Sequence, residues 1–253
     1  MSRPATPDSD GAGLALLAEG AAAMGLSLSA DQLDLFQRYL ALLLEWNQRL
    51  NLTAVRDPAG IQQRHYLDSL SCATLTGDLA GQRLVDVGAG AGFPGLPLKI
   101  LYPTLALTLV ESVAKKARFL EAAVKELGLF GVTVVVDRAE NVGHMAEHRE
   151  AYDWAVARAV AALPTLAEYL LPLCRVGGRM LAQKGPRAAA ELEEAAWAIE
   201  TLGGGRAAIL DVHVPGLDET RALVVVPKVA PTPADYPRRP GVPGKSPLLG
   251  AGG

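Results

Sequence analysis

Residues 84–95, which read LVDVGAGAGFPG, constrain the fold of this chain more than any other stretch. A short apolar run contains Asp86 and then breaks into glycines at every second position before a helical pattern begins. Glycine reaches positive φ without a Cβ clash and lets another group approach the backbone closely. The pattern predicts a strand, a tight turn and a helix, with a ligand bound against the turn.

Two kinds of ligand fit this turn. Residues 90–95 match G-x-G-x-x-G, which in dinucleotide-binding folds seats a pyrophosphate on a helix N-terminus. However, Phe93 is bulky and Pro94 has no N–H to donate, so the loop is a poor phosphate cradle. A carboxylate at Asp86 suits a cationic or hydroxyl-rich ligand. The whole pattern, D-x-G-x-G-x-G, is typical of S-adenosylmethionine-dependent methyltransferases. That interpretation is favoured over a dinucleotide, with a purely structural turn as the third alternative.

Composition limits the function classes. Half of the 253 residues are apolar, which is enough for one sizeable core. The formal net charge of −3 argues against a protein that coats nucleic acid indiscriminately, so a nucleic-acid substrate requires a local basic patch. No apolar run approaches the roughly 18 residues of a membrane span. Cys72 and Cys174 lie far apart, and no metal-ligand spacing occurs, so we expect reduced thiols, no metal and a cytoplasmic location.

Strand and helix patterns alternate after Gly77 and predict an α/β fold. The expected architecture is a class I, Rossmann-like sheet of seven strands, helices on both faces and an antiparallel last hairpin. We expect Val132–Val136 to be buried on both faces. The predicted strands are Arg83–Val87, Ala106–Val110, Val132–Val136, Trp154–Ala157, Arg179–Gln183, Ala207–His213 and Arg221–Val226.

Three regions are predicted along the chain. Residues 1–76 form a loose arm and a helical cap, in which Ser29 caps a long amphipathic helix. Residues 77–230 form the Rossmann-like domain, and residues 231–253 form a basic tail, rich in Pro and Gly, on or near the site. In the cap, His65 and Asp68 are three residues apart on one helix face. They either support each other or face the glycine loop as the floor or gate of a substrate site.

Charged residues follow several strands at their carboxyl ends. Glu111 comes where doubly wound folds place a carboxylate for two ribose hydroxyls. A second acidic strand end, with Glu140, fits a clamp for adenine. Residues 156–159 read VARA, where enzymes that methylate exocyclic amines carry an Asn/Asp-Pro-Pro-Tyr-like loop, so an amino-group target is disfavoured. Lys184 is either a phosphate contact or a solubilising charge.

Six motifs together resemble the bacterial small-subunit ribosomal RNA guanine-N7 methyltransferases, also called glucose-inhibited division protein B. The likeness spans residues 40–248. The motifs are HYLDSL at 65–70, DVGAGAGFPG at 86–95, VES at 110–112 with Lys115 and Lys116, RAE at 138–140, VARAV at 156–160 and YPRR at 236–239. The family methylates N7 of a guanosine in the 530 loop of 16S ribosomal RNA.

The resemblance implies S-adenosylmethionine as cofactor and assigns roles to individual residues. Gly88 and Phe93 line the cofactor, residues 111–113 meet its ribose, Ala139 and Glu140 meet its adenine, and Arg158 closes the site. The expected cofactor set is Asp86, Gly88, Gly90, Gly92, Phe93, Glu111, Ser112, Val113, Ala139, Glu140 and Arg158. The expected RNA contacts are Arg64, His65, Arg158, Lys184, Arg238 and Arg239.

The chemistry of guanine N7 makes the lack of an obvious catalytic dyad understandable. N7 has a free lone pair, so no general base is expected, and alignment of the reactants carries the catalysis. We expect a monomer that acts on 16S ribosomal RNA within the small subunit or an assembly intermediate. Two alternatives remain at this stage. One is an NAD(P)-dependent oxidoreductase that uses the same glycine loop, and the other is a non-catalytic RNA-binding module.

Overall fold

The computed structural model describes residues 12–219 and 221–250. The predicted arm at residues 1–10 and the last three residues lie outside these ranges. Seven strands form the sheet: β1 (Arg83–Val87), β2 (Ala106–Val110), β3 (Val132–Val135), β4 (Tyr152–Arg158), β5 (Cys174–Lys184), β6 (Ala208–Val212) and β7 (Arg221–Pro227). The helices are α1 (Ala15–Ala23), α2 (Ala30–Leu50), α3 (Pro58–Ile61), α4 (Asp68–Leu70), α5 (Ala73–Thr76), α6 (Gly95–Leu101), α7 (Ala114–Glu126), α8 (Ala139–Val142), α9 (Leu163–Leu170), α10 (Ala188–Thr201) and α11 (Val242–Lys245).

The strands lie in the order β3-β2-β1-β4-β5-β7-β6. The first five strands are parallel, and β7 runs antiparallel to both of its neighbours. The predicted seven strands and antiparallel hairpin are therefore confirmed. Parallel strands end at the same edge of the sheet. The loops that follow the last residues of the strands therefore lie together at this edge, after Val87, Val110, Val135 and Arg158. Ligands of open α/β sheets bind at this carboxyl edge.

Alternate residues of the central strands pack into two different hydrophobic cores, one on each face of the sheet. Leu84 and Leu107 point to the face covered by the N-terminal helices, α6 and α7, whereas Val85 points to the face covered by α9 and α10. This alternation follows from the two-residue period of a strand. The core on the first face also contains Tyr39 and Tyr66 from the N-terminal helices, so these helices pack directly on the sheet.

The N-terminal helices begin where local signals place them. Ser29 accepts a hydrogen bond from the backbone N–H of Gln32, whose side chain accepts one from the Ser29 N–H, which is the capping box at the start of α2. Asp57 caps α3 in the same way through the N–H of Gly60. Between α3 and α4 the chain adopts one π-helical stretch, Gln62–Leu67. Such stretches are frequent at functional sites, and sequence periodicity does not predict them.

Two sequence predictions about the sheet are wrong. The valine run at 132–136 is not buried on both faces, because β3 is an edge strand and Val136 is 49% exposed. Strand β5 begins at Cys174, five residues before the predicted start at Arg179. Gly177 and Gly178 signalled a break, yet both lie within the strand. Glycine is needed at 178 because a Cβ there would come within 2.8 Å of the Tyr152 carbonyl oxygen. The three-region division of the chain stays a prediction.

Candidate active site

The glycine loop after β1 is a tight turn held to the neighbouring strand. The N–H groups of Gly88 and Ala89 both donate to the carbonyl oxygen of Val110, at 2.8 and 3.1 Å. Gly88 has a φ of +72°, and a Cβ at this position would lie 2.6 Å from a methyl carbon of Val160. Glycine is required here both by the backbone angle and by the close packing of the loop after β4.

Asp86 supports this loop from beneath. The residue is fully buried, and its carboxylate accepts a hydrogen bond from the N–H of Gly95 at 2.8 Å. Its other oxygen has no hydrogen-bond partner among the described residues. Burial raises the pKa of this carboxyl to about 7. The Asp86 side chain holds the start of α6 and lines neither of the cavities described below, and its contact with the ligand stays a prediction.

Glu111 joins the glycine loop to the loop after β2. Its two carboxylate oxygens accept from the N–H groups of Gly90, at 3.0 Å, and Val113, at 2.7 Å. The side chain is nearly buried, so these charge-assisted bonds are protected from water. The sequence placed Glu111 correctly at the sheet edge, but its bonds in this structure go to the two loops that surround the ligand site.

A first cavity of about 290 Å³ opens where the strands β1, β2 and β4 end. It is lined by Gly88, Ser112, Ala139 and Glu140, four of the residues predicted to bind the cofactor. Its charged lining residues are Asp137, Glu140 and Arg138, which leaves an excess of one negative charge. Apolar walls with an acidic excess suit a nucleoside that carries a sulfonium and an ammonium group better than a diphosphate.

The C-terminal tail closes one side of this cavity. Gly244 lines it, and the N–H of Gly241 donates to the Glu140 carboxylate at 2.8 Å. Arg238 binds the fully buried carboxylate of Glu168 through Nε and Nη2, with the shortest contact at 2.7 Å. Arg238 therefore anchors the tail. Its neighbour Arg239 is exposed, and the RNA contacts of both residues stay predictions.

A second cavity, of about 600 Å³, lies on the other side of the loop after β4. Arg158 and Ala159 line the second cavity, while Val160 and Ala161 line the first. Ala159 has a φ of +55°, a left-handed conformation that is strained for a residue with a Cβ. The turn at Ala159 thus sends successive side chains of one loop to two different cavities.

The charges of the second cavity are opposite to those of the first. Its lining includes five cationic side chains, Arg64, Arg158, Lys184, Arg187 and Arg221. Only two carboxylates, Asp68 and Glu191, line it as well, so the excess is three positive charges. Because the whole chain carries a formal charge of −3, this concentration of positive charge is local.

His65, Phe93 and Arg158 form the wall between the two cavities. Aromatic and ionic contacts hold this wall in place. The His65 ring stacks on Phe93 with centroids 4.7 Å apart, and the guanidinium of Arg158 lies 4.9 Å from the same ring. Arg158 also binds Asp68 at 2.8 Å. Burial and the neighbouring Arg158 lower the pKa of His65 to about 4, so His65 is neutral at pH 7. Its Nε2 lies 2.6 Å from the Thr53 hydroxyl.

The predicted RNA contacts separate into two groups. Arg64, His65, Arg158 and Lys184 lie around the second cavity, although Lys184 Nζ is 2.6 Å from Glu191. Arg239 lies on the tail. Of the predicted cofactor residues, Gly92 packs under the loop against Leu96, and Phe93 faces the wall. Sequence reasoning missed Arg221, since its position at the start of the antiparallel β7 gives no local signal of a site.

The sheet order and the glycine loop define the fold of the class I S-adenosylmethionine-dependent methyltransferases. Solved structures with this fold include a predicted O-methyltransferase of Agrobacterium tumefaciens, 21% identical, with a TM-score of 0.52 over 66% of this chain and 81% of that one. Another is MtNAS in complex with MTA and tNA, 18% identical, with a TM-score of 0.52 over 76% of this chain and 71% of that one. At these identities the likeness concerns the fold alone.

Comparison of sequences gives the family. A profile of the GidB family, described as rRNA small subunit methyltransferase G, matches residues 32–220. The Ribosomal RNA small subunit methyltransferase G of Roseiflexus castenholzii is 55% identical over 90% of this chain and 97% of its own length. That of Dehalococcoides mccartyi is 45% identical over 92% and 99%. The chain belongs to the rRNA small subunit methyltransferase G family.

Family membership decides between the alternatives left open by the sequence. The protein is an enzyme with S-adenosylmethionine as its cofactor, and neither an NAD(P)-dependent oxidoreductase nor a non-catalytic module. The described residues fit this cofactor. The acidic first cavity suits its cationic groups, and Gly88 in its lining has no space for a Cβ, which would lie 2.6 Å from a methyl carbon of Val160. In the described ranges, no helix is long and apolar enough to span a membrane.

Proposed function

We propose that this protein transfers the methyl group of S-adenosylmethionine to N7 of a guanosine in the 530 loop of 16S ribosomal RNA. The observation that carries the proposal is the pair of cavities with opposite charge on the two sides of residues 158–161. A cationic cofactor fits the acidic cavity, and an anionic nucleotide fits the basic one. Methyl transfer requires the two ligands to meet beside this loop, with the nucleophile in direct contact with the methyl group.

The polar groups of this wall support a nucleophile that needs no deprotonation. Asp68 has each carboxylate oxygen on an arginine, Arg158 or Arg221, so it is poorly placed to accept a proton. His65 is neutral at pH 7, and its Nε2 is engaged with the Thr53 hydroxyl. Guanine N7 attacks with a lone pair that carries no proton. This chemistry matches the wall better than methylation of an exocyclic amine or of a ring carbon.

The bound cofactor supplies an electrophilic methyl group on a sulfonium. The chain's own residues supply binding and orientation. Glu111 fixes the two loops on the cofactor side through Gly90 and Val113, and Arg158 is fixed by Asp68 at the wall. Holding two reactants in line contributes on the order of 7–11 kcal/mol to a bimolecular reaction. No residue of the chain is required to form a covalent bond, and the buried Cys174 lies at the opposite edge of the sheet, where β5 begins.

The substrate is proposed to be structured RNA in the small subunit or in an assembly intermediate. A protein with a net charge of −3 gains little from non-specific attraction to phosphates, so its affinity depends on the local basic cavity and on the shape of the RNA. The base must be displayed or flipped out to reach the wall. The protein is proposed to act as a monomer in the cytoplasm, where small subunits are assembled.

Labelled-methyl transfer to small subunits that lack the modification tests this function. We expect label in 16S ribosomal RNA, and mapping of the modified nucleotide should place it at N7 of one guanosine in the 530 loop. Label at another atom or another loop contradicts the proposed target. Short naked RNA loops serve as the comparison, and equal rates on loops and subunits would refute the requirement for a structured particle.

A further inference from the structure

Arg221 lies in the second cavity in a geometry that its other cations do not share. Its Nε donates to Asp68 at 3.0 Å and its Nη1 donates to Glu219 at 2.9 Å. Among the described residues, no hydrogen-bond acceptor is found for its Nη2. The guanidinium is therefore fixed in orientation by two carboxylates while one edge stays available to a ligand. Arginine with a preset orientation is well suited to phosphate.

Two of the neighbouring cations are committed to the protein, whereas Arg187 has only an exposed ion pair with Glu194 at 3.9 Å. Arg158 donates to Asp68 and to the Arg64 carbonyl oxygen, and its second terminal nitrogen lies 3.4 Å from His65. Lys184 Nζ donates to the Ala161 carbonyl oxygen at 2.9 Å in addition to its ion pair with Glu191. Arg158 and Lys184 contribute charge to the cavity, whereas Arg221 combines two carboxylate partners with an available edge.

Asp68 links the wall between the cavities to the second cavity. It is nearly buried at 4% exposure, and it holds Arg158 at the wall and Arg221 at the second cavity with one oxygen each. Its own backbone carbonyl oxygen accepts from Gln183 at 2.7 Å. Through its carboxylate and its backbone carbonyl, Asp68 thus connects α4 to β4, β5 and β7. This long-range arrangement explains the His65–Asp68 helix face, whose role the sequence left open.

We propose that Arg221 binds a phosphate group of the target nucleotide in the second cavity, and that Asp68 is the residue that positions both Arg221 and Arg158. The proposal rests on the proposed function for the identity of the nucleotide. The size of the cavity, about 600 Å³, falls within the roughly 300–1,000 Å³ typical of small-ligand sites and accommodates one nucleotide. Its excess of three positive charges selects a ligand with phosphate groups.

Binding measurements with Arg221→Gln test the phosphate contact. The probe is the unmodified small subunit in the presence of S-adenosylhomocysteine, so the readout does not require methyl transfer. We expect affinity for the subunit to fall at least about tenfold, which corresponds to about 1.4 kcal/mol. The slope of log affinity against log salt should fall by about 0.7, the value for one contact with single-stranded phosphate. Affinity for S-adenosylmethionine should stay within about twofold of wild type, a range of about 0.4 kcal/mol.

Arg175→Gln is the matched control. Arg175 is paired with Asp153 at 2.8 Å, as Arg221 is with Asp68, but it lies at the amino edge of the sheet, where β5 begins. The two variants remove the same charge. If they change subunit affinity and salt slope equally, Arg221 makes no specific phosphate contact and the proposal is overturned. An Arg221→Gln protein that loses cofactor affinity as strongly as subunit affinity overturns it too.

Asp68→Asn tests the positioning role, since it keeps the side-chain shape and removes the charge that holds two arginines. We expect affinity for both the cofactor and the subunit to fall, whereas Arg221→Gln affects the subunit alone. Unchanged affinity for either ligand overturns the positioning role. Failure of the proposed function gives a different result. The labelled methyl group is then found on another atom or in another loop, while the binding differences between these variants persist.

Discussion

The buried carboxyl group of Asp86 makes the stability of the protein depend on pH. Burial raises its pKa from 3.8 to about 7. Between these two values the folded protein binds more protons at this group than the unfolded chain does, so the free energy of unfolding falls as pH rises through the window. A shift of this size corresponds to about 4 kcal/mol between the two protonation states.

Replacement of Asp86 by asparagine should remove this dependence. In Asp86→Asn the side-chain oxygen still accepts from Gly95, and no charge forms beneath the loop at high pH. We subtract the free energy of unfolding of wild type from that of the variant at each pH. Measured by urea unfolding, this difference should be about 2 to 4 kcal/mol larger at pH 8 than at pH 5. Asp211→Asn, at an exposed aspartate on β6, is the control. Parallel profiles for all three proteins would exclude a buried carboxyl with a raised pKa.

His65 has the opposite effect on the pH dependence of stability. The contribution of Asp86 therefore shows in the difference between wild type and Asp86→Asn, because the wild-type profile contains both groups. Its pKa is lowered from 6.5 to about 4, by burial and then by Arg158. Between these values the unfolded chain binds more protons at this group, so stability rises with pH. The two groups partly cancel in the wild type between pH 4 and 6.5.

Glu111 joins two loops beside the first cavity and is also predicted to bind the ligand. In Glu111→Ala the N–H groups of Gly90 and Val113 lose their acceptor, and each such charge-assisted bond contributes about 1.5 to 3 kcal/mol. We expect binding of S-adenosylmethionine, measured by calorimetry, to fall by more than about 100-fold, or about 2.7 kcal/mol. The fold should persist by circular dichroism. Glu111→Gln, which keeps one acceptor, should be intermediate, and unchanged affinity in Glu111→Ala would contradict the site assignment.

At the scale of elements, the sequence predicts the sheet well because its signals are local. Each parallel strand is a short apolar run that ends at a polar or glycine residue, as at Asp86-Val87-Gly88 and Val110-Glu111. The π-helical stretch Gln62–Leu67 and the edge position of β3 depend on tertiary packing and have no local signature. The same holds for the site: strand ends predict the cofactor cavity, whereas the bonds of Asp68 to Arg158 and Arg221 span 90 and 153 residues.

The contact between the loops after β1 and β4 can be tested at Gly88. In Gly88→Ala the added Cβ requires Val160 to move, and the positive φ adds strain of about 1 to 3 kcal/mol. We expect affinity for S-adenosylmethionine to fall by at least about tenfold. Gly128→Ala is the matched control, because Gly128 has a φ of +63° with nothing within 4 Å of a Cβ. It carries the same strain without the clash, so equal cofactor affinity in both variants would rule out a role for the contact with Val160.

At the scale of the whole molecule, the tail closes one side of the cavity that lies at the carboxyl edge of the sheet. Glu168 on α9 is fully buried, and its partner Arg238 holds the tail so that Gly241 and Gly244 reach the first cavity. Removing one partner of a buried ion pair costs about 3 to 5 kcal/mol because the other charge remains buried. The N-terminal cap has the corresponding role at the second cavity, through His65 and Asp68.

The two adjacent arginines of the tail should therefore differ in their effects. In Arg238→Ala we expect the free energy of unfolding to fall by about 3 kcal/mol and cofactor affinity to fall with it, because the tail loses its anchor. In Arg239→Ala, at an exposed position, both should stay near wild type, since surface substitutions usually change stability by no more than about 0.5 kcal/mol. If Arg239 contacts RNA, Arg239→Ala lowers affinity for the unmodified small subunit while its stability and cofactor affinity stay near wild type. Urea unfolding, calorimetry and subunit binding separate these outcomes, and equal stability of the two variants would show that Glu168 does not hold the tail.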